Sequence, residues 1–435
     1  MSTLLRLATA GSVDDGKSTL VGRLLHDSRS VPADQLDAVE RVSRARGLDV
    51  ADLALLTDGL RAEREQGITI DVAYRYFATA NRSFILADCP GHVQYTRNTV
   101  TGASTADVVV LLVDARKGLL EQTSRHLAVA SLLRVAHVIV AVNKIDLVGY
   151  DGAVFGSVSA QVERAARALG LPDVRTIPVC ALTGDNVVDR SARTPWYGGP
   201  SLLELLEALP SAQEPDSETF RFPVQVVIRP QAAARQEAYL EYRGYAGQIA
   251  AGVVRVGDAV TVLPAGRRTT IAGIDTADGE LTEAFAPQSV TIRLADDVDV
   301  ARGDLIAAAV DAPVPTDDLE GTVCWLADRE LLPGRRVLLK HTTRTVQAVV
   351  RDILGRLDLD TAELGPAESL GRIDIGRVRL RLAAPVVAEP YLTSRRTGAF
   401  LLIDPHDGNT LAAGMVGDAL AQVRHPEQRT ALYTI

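Results

Sequence analysis

The sequence has few cysteines and few aromatic residues, and it has no long apolar run. The 435 residues include three cysteines that stand far apart and match the spacing of neither a disulfide framework nor a zinc site: Cys89, Cys180 and Cys324. No run of eighteen apolar residues predicts a membrane helix, and the N-terminus lacks the charged and apolar regions of a signal peptide. We therefore expect a cytoplasmic protein without a membrane segment.

Positive charge is also scarce, since 46 Lys and Arg face 55 Asp and Glu and leave a net charge of −9. An acidic total argues against nucleic acid as the main partner. The 47% hydrophobic and 23% charged residues are typical of a globular protein. A chain of this length is too long to fold around a single hydrophobic core, so we expect about two to four domains.

Short apolar runs alternate with helix-like segments over residues 1–210. The runs are rich in β-branched residues, and each ends at a polar or small residue: Leu4–Ala10, Ser83–Asp88, Val108–Asp114, Val138–Asn143 and Thr176–Ala181. This alternation predicts a mostly parallel α/β sheet with helices on both faces and ligands at the carboxyl ends of the strands. Residues 71–81 alternate in polarity and predict an extra strand beside 83–88.

The pattern of apolar and polar residues changes after a polar, proline-bearing linker at 211–218. Short alternating strands broken by Gly and Asp follow at 252–258, 259–262, 268–274 and 290–294, which predicts a small β-barrel. A second break at 311–318 precedes another strand-rich segment that ends near Val416. We predict a nucleotide-binding domain at 1–210, a β-barrel domain at 219–312 and a second β-barrel domain at 313–435.

The stretch Gly11–Ser18 matches the phosphate-binding pattern G-x-x-x-x-G-K-[ST] between a predicted strand and a predicted helix. Lys17 is expected to act in catalysis by reaching the β- and γ-phosphates, and the Ser18 hydroxyl to bind Mg²⁺, which is the only metal expected. The predicted phosphate contacts in this loop are Gly11, Ser12, Val13, Asp14, Asp15, Gly16, Lys17, Ser18 and Thr19.

A second phosphate segment, Asp88-Cys89-Pro90-Gly91, closes another predicted strand and matches D-x-x-G. Asp88 can hold Mg²⁺ through a water, and the Gly91 N–H can bind the γ-phosphate. Cys89 has no base beside it in sequence and is interpreted as a packing residue.

The stretch Asn143-Lys144-Ile145-Asp146 identifies the base as guanine. A carboxylate at Asp146 can accept hydrogen bonds from N1–H and the 2-amino group, whereas adenine offers neither donor and would leave the carboxylate unpaired. Asn143 can bond N7, and the Lys144 stem can cover the base. Cys180, Ala181 and Leu182 form a strand end that can offer a backbone N–H to guanine O6. The three motifs in this order predict a GTP-binding domain.

Two further residues predict switched hydrolysis. The Thr69 hydroxyl, in the segment 61–70, can complete the Mg²⁺ shell only when the γ-phosphate is present. The alternative is that this segment has only a structural role, as a charged helix followed by the start of a strand. His92 can orient the attacking water, although a lone histidine is more often structural. Val13 and Ile68 could form an apolar gate in front of it.

With these motifs in place, the chain resembles the translation-factor superfamily, and within it the large subunit of bacterial ATP sulfurylase (sulfate adenylyltransferase). Five stretches carry the resemblance: 11–28, 34–47, 52–77, 94–126 and 243–258. The family pattern is departed from where Cys180 replaces the usual serine and where Val93 replaces a common glutamate.

The resemblance implies a GTPase domain followed by two β-barrels, and it implies a partner. In that family a small adenylyl-transferring subunit binds ATP and sulfate and makes adenosine 5′-phosphosulfate and pyrophosphate, while the large subunit couples GTP hydrolysis to that step. No second phosphate loop occurs before Ile435, so we expect no fused adenylylsulfate kinase.

Two alternatives stay open at this point. A translation elongation factor that delivers aminoacyl-tRNA shares all the GTP-binding residues, so the guanine motif cannot separate the two classes. The stretches at 34–60 and 243–247 and the acidic total favour the sulfurylase. A GTPase regulator that acts alone is disfavoured by the two predicted barrels.

Overall fold

The structure is a computed structural model of the chain, and its described residues are 3–45, 51–56, 72–90, 96–171, 173–210, 219–231, 240–359 and 361–420. The chain divides into two compact units, formed mainly by residues 1–212 and by residues 213–357 with 364–421. Several predicted features lie outside the described residues: the linker 211–218, Thr69, Gly91 and His92.

The first unit contains a six-stranded sheet. Its strands are β1 (Thr3–Gly11), β2 (Ala73–Ala78), β3 (Arg82–Asp88), β4 (Val108–Asp114), β5 (His137–Asn143) and β6 (Val174–Pro178). They lie in the order β2-β3-β1-β4-β5-β6, in which β2 is antiparallel to β3 and the other pairs are parallel. The predicted extra strand is confirmed as β2.

Helices connect these strands. The described ones are α1 (Lys17–Asp27), α2 (Ala33–Ala45), α3 (Thr96–Ser104), α4 (Glu121–Leu132), α5 (Gly152–Ala168) and α6 (Leu202–Ala208). Every residue of β4 is buried, which explains its continuous Val and Leu run, because helices on both faces leave no side of a central parallel strand in water.

The strand order changes direction at β1, which pairs with β3 on one side and with β4 on the other. A parallel sheet opens a crevice for ligands at such a point, beyond the carboxyl ends of its strands. The loop that starts at Gly11 follows β1 directly and therefore lies in this crevice.

The last predicted strand of the sheet ends earlier than the apolar run suggests. The run Thr176–Ala181 predicts a strand to residue 181, but β6 ends at Pro178. Beyond it, Cys180 N–H donates to Asp185 O at 3.1 Å and Gly184 N–H to Cys180 O at 2.8 Å, so the backbone folds back as a turn.

The second unit begins with a barrel-like sheet. Its strands are β7 (Arg221–Pro223), β8 (Val226–Ile228), β9 (Gly244–Gln248), β11 (Ala259–Leu263), β12 (Arg267–Thr276), β13 (Gly279–Leu281), β15 (Ser289–Leu294) and β16 (Leu305–Ala308). Two further strands, β10 (Val253–Arg255) and β14 (Glu283–Phe285), pair with each other as a separate two-stranded sheet. The main path runs β7-β16-β11-β12-β15-β9-β8. The path curls back on itself, because the Arg221 N–H of β7 donates to Ala251 O, just after β9, at 3.0 Å.

The remaining strands form a second barrel. They are β17 (Thr316–Trp325), β18 (Arg336–His341), β19 (Arg344–Leu357), β20 (Leu364–Gly365), β21 (Ile375–Val386), β22 (Ala399–Ile403) and β23 (Thr410–Val416). The order is β18-β22-β23-β17-β21-β19-β20, and the additional pairing of β18 with β19 closes it. Trp325 is fully buried at the centre of its core.

The two barrels of this unit are joined by a buried ion pair. The Arg221 side chain, at the start of the first barrel, donates to both carboxylate oxygens of Glu389 at 3.0 and 2.8 Å and to Asp311 at 3.2 Å. Thr397 donates to the same Glu389 carboxylate at 2.8 Å. Removing one partner of such a pair leaves an uncompensated buried charge. These contacts therefore hold the two barrels against each other.

The predicted fold class is confirmed: a mostly parallel α/β nucleotide-binding domain precedes two β-barrels. The domain limits at 210, 219 and 312 stay a prediction. Within the described part of the chain, we find no helix whose length and apolar character would let it cross a membrane.

Candidate nucleotide-binding site

The phosphate-binding loop lies between β1 and α1, and two glycines allow its path. Gly11 has φ of +147°, and an added Cβ would lie 2.9 Å from Leu112 O. Gly16 has φ of +92°, and an added Cβ would collide with Nδ2 of Asn143. Both positions therefore require glycine. Ser18 and Thr19 follow at the start of α1, whose free N–H groups favour an anion.

Lys17 is almost completely buried inside this loop. Its Nζ donates to Gly11 O at 2.9 Å and to Ser12 O at 2.7 Å. Burial lowers the pKa of its ammonium, while Asp15 and Asp88 favour the charged form. The loop carbonyls thus hold a desolvated cation where the motif expects the phosphates.

Asp15 braces the loop from within. Its Oδ2 accepts the Ser12 N–H at 2.9 Å, and its side chain is buried. Burial raises the pKa of this carboxyl, an effect that the Ser12 hydrogen bond and the Lys17 charge oppose. Val13 and Asp14, by contrast, are exposed at the tip of the loop.

Asn143 connects three of the predicted segments. Its Nδ2 donates to Asp15 O at 2.7 Å, and its Oδ1 accepts the Ala181 N–H at 2.9 Å. The side chain is 2% exposed, so both bonds are made away from water. Asp15 O uses only one of the two Nδ2 hydrogens, so the other can donate to N7 of the base. That contact stays a prediction.

Lys144 forms a second link between the base segment and the phosphate loop. Its Nζ donates to Asp14 O and lies 3.2 Å from Oδ2 of Asp114. Arg116 holds the same carboxylate through its Nε at 3.0 Å and its Nη2 at 2.6 Å. Burial of Asp114 opposes ionisation, but the hydrogen bonds from Arg116 and Lys144 outweigh it and hold the pKa of Asp114 below its usual range.

The predicted base-reading carboxylate is half-buried beside a thiol. Cys180 Sγ donates to Asp146 Oδ1 at 3.1 Å, so this cysteine orients the carboxylate. The neighbouring Ile145 is fully buried. Arg23 of α1 donates to the carbonyls of Ala181 and Leu182 and fixes this turn. The contact of the turn with guanine O6 stays a prediction.

Asp88 ends β3 on the phosphate side of the crevice. Its Oδ1 accepts the Thr9 hydroxyl at 2.8 Å, which aligns the carboxylate from the neighbouring strand. Cys89 is fully buried and burial raises the pKa of its thiol, in line with a packing side chain. Pro90 is buried and accepts the Thr99 hydroxyl at 3.3 Å.

The oxygen ligands expected for Mg²⁺ fit the chemistry of that ion. Mg²⁺ binds through one or two protein oxygens together with phosphate oxygens and waters, so it needs no all-protein cage. The hydroxyl of Ser18 and the carboxylate of Asp88 are such hard oxygen donors. Across the described residues no cluster of three or more His, Cys, Asp or Glu side chains forms a metal site of its own.

Sequence reasoning missed three residues that shape this site: Thr9, Arg23 and Asp114. Asp114 has a signal that could have found it, because it is the polar end of a predicted strand, like Asp88 and Asn143. Nothing in the sequence marks Arg23, whose role depends on a turn about 160 residues away.

Replacing Asp114 with Asn is expected to weaken GTP binding roughly tenfold, or about 1.4 kcal/mol. The amide would turn an N–H toward cations that now share a carboxylate, so Lys144 would lose its position against Asp14. Titration calorimetry with GTP measures the change.

The matched control is Asp173→Asn. Asp173 also pairs with an arginine and a histidine, Arg175 at 3.0 Å and His137 at 2.8 Å, but it precedes β6 at the opposite edge of the sheet. An unchanged GTP affinity in Asp114→Asn, or an equal loss in the control, would contradict the positioning role.

Two family models and several known proteins match this chain. A family model described as "Elongation factor Tu GTP binding domain" matches residues 2–214, and one described as "GTP-eEF1A C-terminal domain-like" matches residues 318–417. A solved structure of sup35 complexed with GDP is 24% identical and covers 96% of this chain and 94% of its own, with a TM-score of 0.42.

Curated relatives match nearly the whole chain. The "Bifunctional enzyme CysN/CysC" of Mycobacterium tuberculosis is 54% identical over 418 residues, which are 96% of this chain and 67% of the relative. The "Sulfate adenylyltransferase subunit 1" of Teredinibacter turnerae is 47% identical over 420 residues, 96% of this chain and 88% of that protein. The protein of the same name from Laribacter hongkongensis is 48% identical over 96% of this chain and 85% of its own length. The chain therefore belongs to the sulfate adenylyltransferase subunit 1 family, with a GTP-binding domain of the elongation factor Tu type.

Proposed function

We propose that this chain is the GTPase subunit of a cytoplasmic sulfate adenylyltransferase. It couples GTP hydrolysis to the formation of adenosine 5′-phosphosulfate and pyrophosphate from ATP and sulfate on a smaller partner subunit. The observation that carries the proposal is the Asn143 side chain, which bonds the phosphate loop and the base segment at once. This bridge supports GTP binding, and the family membership favours this function over an elongation factor.

The phosphates would be held by the loop Gly11–Gly16 and by the first N–H groups of α1. Lys17 supplies a cation that burial has already stripped of water, so its interaction with phosphate oxygens is stronger than at a solvated surface. Its present partners are two loop carbonyls. The ammonium can exchange these neutral acceptors for the charged β- and γ-phosphates.

Ser18, Asp88 and Thr69 would hold Mg²⁺, with Asp88 acting through a water. The ion, when bound, neutralises charge that develops on the phosphate oxygens. Thr9 keeps the Asp88 carboxylate aligned for this role through its 2.8 Å hydrogen bond.

The base would be read by Asp146. Its carboxylate accepts from N1–H and the 2-amino group of guanine, and Cys180 holds one of its oxygens in place. Adenine would leave this half-buried carboxylate without donors, which costs about 1–3 kcal/mol or more for a charged group. Lys144, held by Asp114, keeps the base segment at a fixed distance from the phosphate loop.

Hydrolysis is assigned to His92, which would orient the attacking water, with Thr69 sensing the γ-phosphate. Phosphoryl transfer to water needs positioning and charge stabilisation rather than a covalent nucleophile. Val13, exposed at the loop tip, is one side of the proposed apolar gate in front of His92.

The need for GTP follows from the chemistry of the product. A sulfate–phosphate mixed anhydride is high in energy, so its formation from ATP is uphill without a second driving reaction. The sequence shows no adenylyl-transfer motif of its own, which supports a separate catalytic subunit. The absence of a fused adenylylsulfate kinase stays a prediction.

Reconstitution tests this function. The chain is co-expressed with a small sulfurylase subunit, and pyrophosphate release from ATP is measured with and without sulfate and GTP. We expect release that requires sulfate and rises with GTP. The proposal fails if GTP and this chain make no difference, and tight GTP-dependent binding of aminoacyl-tRNA would instead support an elongation factor.

Replacing His92 with Ala is expected to abolish GTP turnover while GTP affinity stays nearly unchanged, because the side chain acts on the attacking water and not on the bound nucleotide. Turnover without a completing partner is as slow as ~10⁻⁴–10⁻³ s⁻¹ in some GTPases, and completion adds about 10³–10⁵-fold. The comparison is therefore made in the reconstituted complex. Normal phosphate release by the variant would remove His92 from the mechanism.

A further inference from the structure

The second barrel carries a surface groove that the nucleotide site does not use. It has a volume of about 920 Å³ and lies outside strands β18, β19 and β21. We name it the β18–β19 groove, and its principal residues are Arg329, Leu332, Arg336, Leu338, Val349 and Arg381.

The floor of this groove is apolar because of the strand register. Val337 and Ala348 pair across β18 and β19 and point into the barrel core, so their neighbours point outward. Val349 of β19 is one of these outward residues and is 36% exposed, and Leu332, in the loop before β18, adds an apolar side chain that is 52% exposed. Among the described residues 316–420, only Leu401 of the large apolar side chains is comparably exposed, so unburied apolar surface concentrates here.

The rim is basic although the chain is acidic. Four arginines line the groove against two carboxylates, Glu330 and Asp404, whereas the whole chain carries −9. Arg381 is paired with Asp317 at 2.8 Å. Within the part of the chain that the structure describes, Arg329 and Arg336 have no ion-pair or hydrogen-bond partner for their guanidinium groups. Their charge is therefore available to a ligand.

The walls of the groove are rigid. Trp325 Nε1 donates to Arg329 O at 2.9 Å, and Leu331 N–H donates to Leu370 O at 2.9 Å, which pins the loop before β18. Arg335 lies 5.1 Å above the Trp325 ring and 3.5 Å from Asp404. A preformed surface loses little entropy when a partner binds.

We propose that the β18–β19 groove binds an acidic peptide segment with apolar side chains, contributed by the partner subunit. The inference rests on the proposed function, which requires such a subunit. Carboxylates of the segment would pair with Arg329 and Arg336, and its apolar side chains would cover Leu332 and Val349. A protein interface needs more than about 1,000 Å², so the segment anchors a larger contact.

The groove suits a peptide better than a nucleic acid. Single strands bind by stacking bases on aromatic side chains along a continuous positive track. The lining contains no aromatic residue other than His406, and Glu330 and Asp404 interrupt the positive charge.

The test measures the affinity of the full chain for the purified small subunit by interferometry at two salt concentrations. In the double variant Arg329→Glu with Arg336→Glu, the Kd should rise at least about tenfold, and its dependence on salt should weaken. The side chains of both residues are exposed and make no hydrogen bond or ion pair within the described residues, and the substitutions leave the backbone contacts in place, so the melting temperature and GTP affinity should stay unchanged.

Arg351→Glu is the matched control, because Arg351 is an exposed arginine on β19 outside the groove lining. We expect its Kd to stay within about twofold of the unmodified chain. Equal binding by the double variant, or an equal loss in the control, overturns the groove assignment. If the unmodified chain does not bind the small subunit at all, the proposed function fails with it, so the two failures are distinct.

A benzophenone amino acid at position 349 gives an independent readout. Irradiation should cross-link the chain to an acidic segment of the small subunit, identified by mass spectrometry. Cross-links to a second copy of this chain would overturn the proposal. It would also be overturned if the double variant lost binding to a single-stranded RNA while it still bound the small subunit.

Discussion

The nucleotide site depends on one buried amide. Asn143 holds the phosphate loop through Asp15 O and the base-reading turn through the Ala181 N–H, at 2.7 and 2.9 Å. A nucleotide must be gripped at its phosphates and at its base by segments that are far apart in sequence. Hydrogen bonds made in a low-dielectric interior fix the separation of these segments more firmly than contacts at the surface would.

The parallel sheet makes this bridge possible. Because β1, β3, β4, β5 and β6 run in the same direction, the polar residues that end β3, β4 and β5 arrive at the same edge as the loop that follows β1. In the sequence, the ends of these strands are visible as polar or small residues that end apolar runs. For this reason the phosphate loop, Asp88 and the segment starting at Asn143 could be predicted together. The residue types of the segment Asn143–Asp146 also suffice to predict guanine as the base.

Other features could not be predicted, since they depend on contacts between distant segments. Asp114 holds Lys144 only because β4 and β5 are neighbours. The early end of β6 follows from a turn that Cys180 and Asp185 make, and hydropathy alone does not show it. The Arg221–Glu389 pair joins residues that lie 168 positions apart, and neither stands in a recognisable motif.

In the proposed function this chain binds and hydrolyses the GTP that drives the reaction, and the adenylyl transfer takes place on the partner subunit. The most direct test exchanges the nucleotide. In Asp146→Asn the amide can donate to the C2 carbonyl of xanthine, while its oxygen accepts N1–H. Sulfate-dependent pyrophosphate release by the reconstituted variant should respond to xanthosine triphosphate and no longer to GTP. Stimulation by GTP as in the unmodified complex, or release that ignores both nucleotides, would contradict the account.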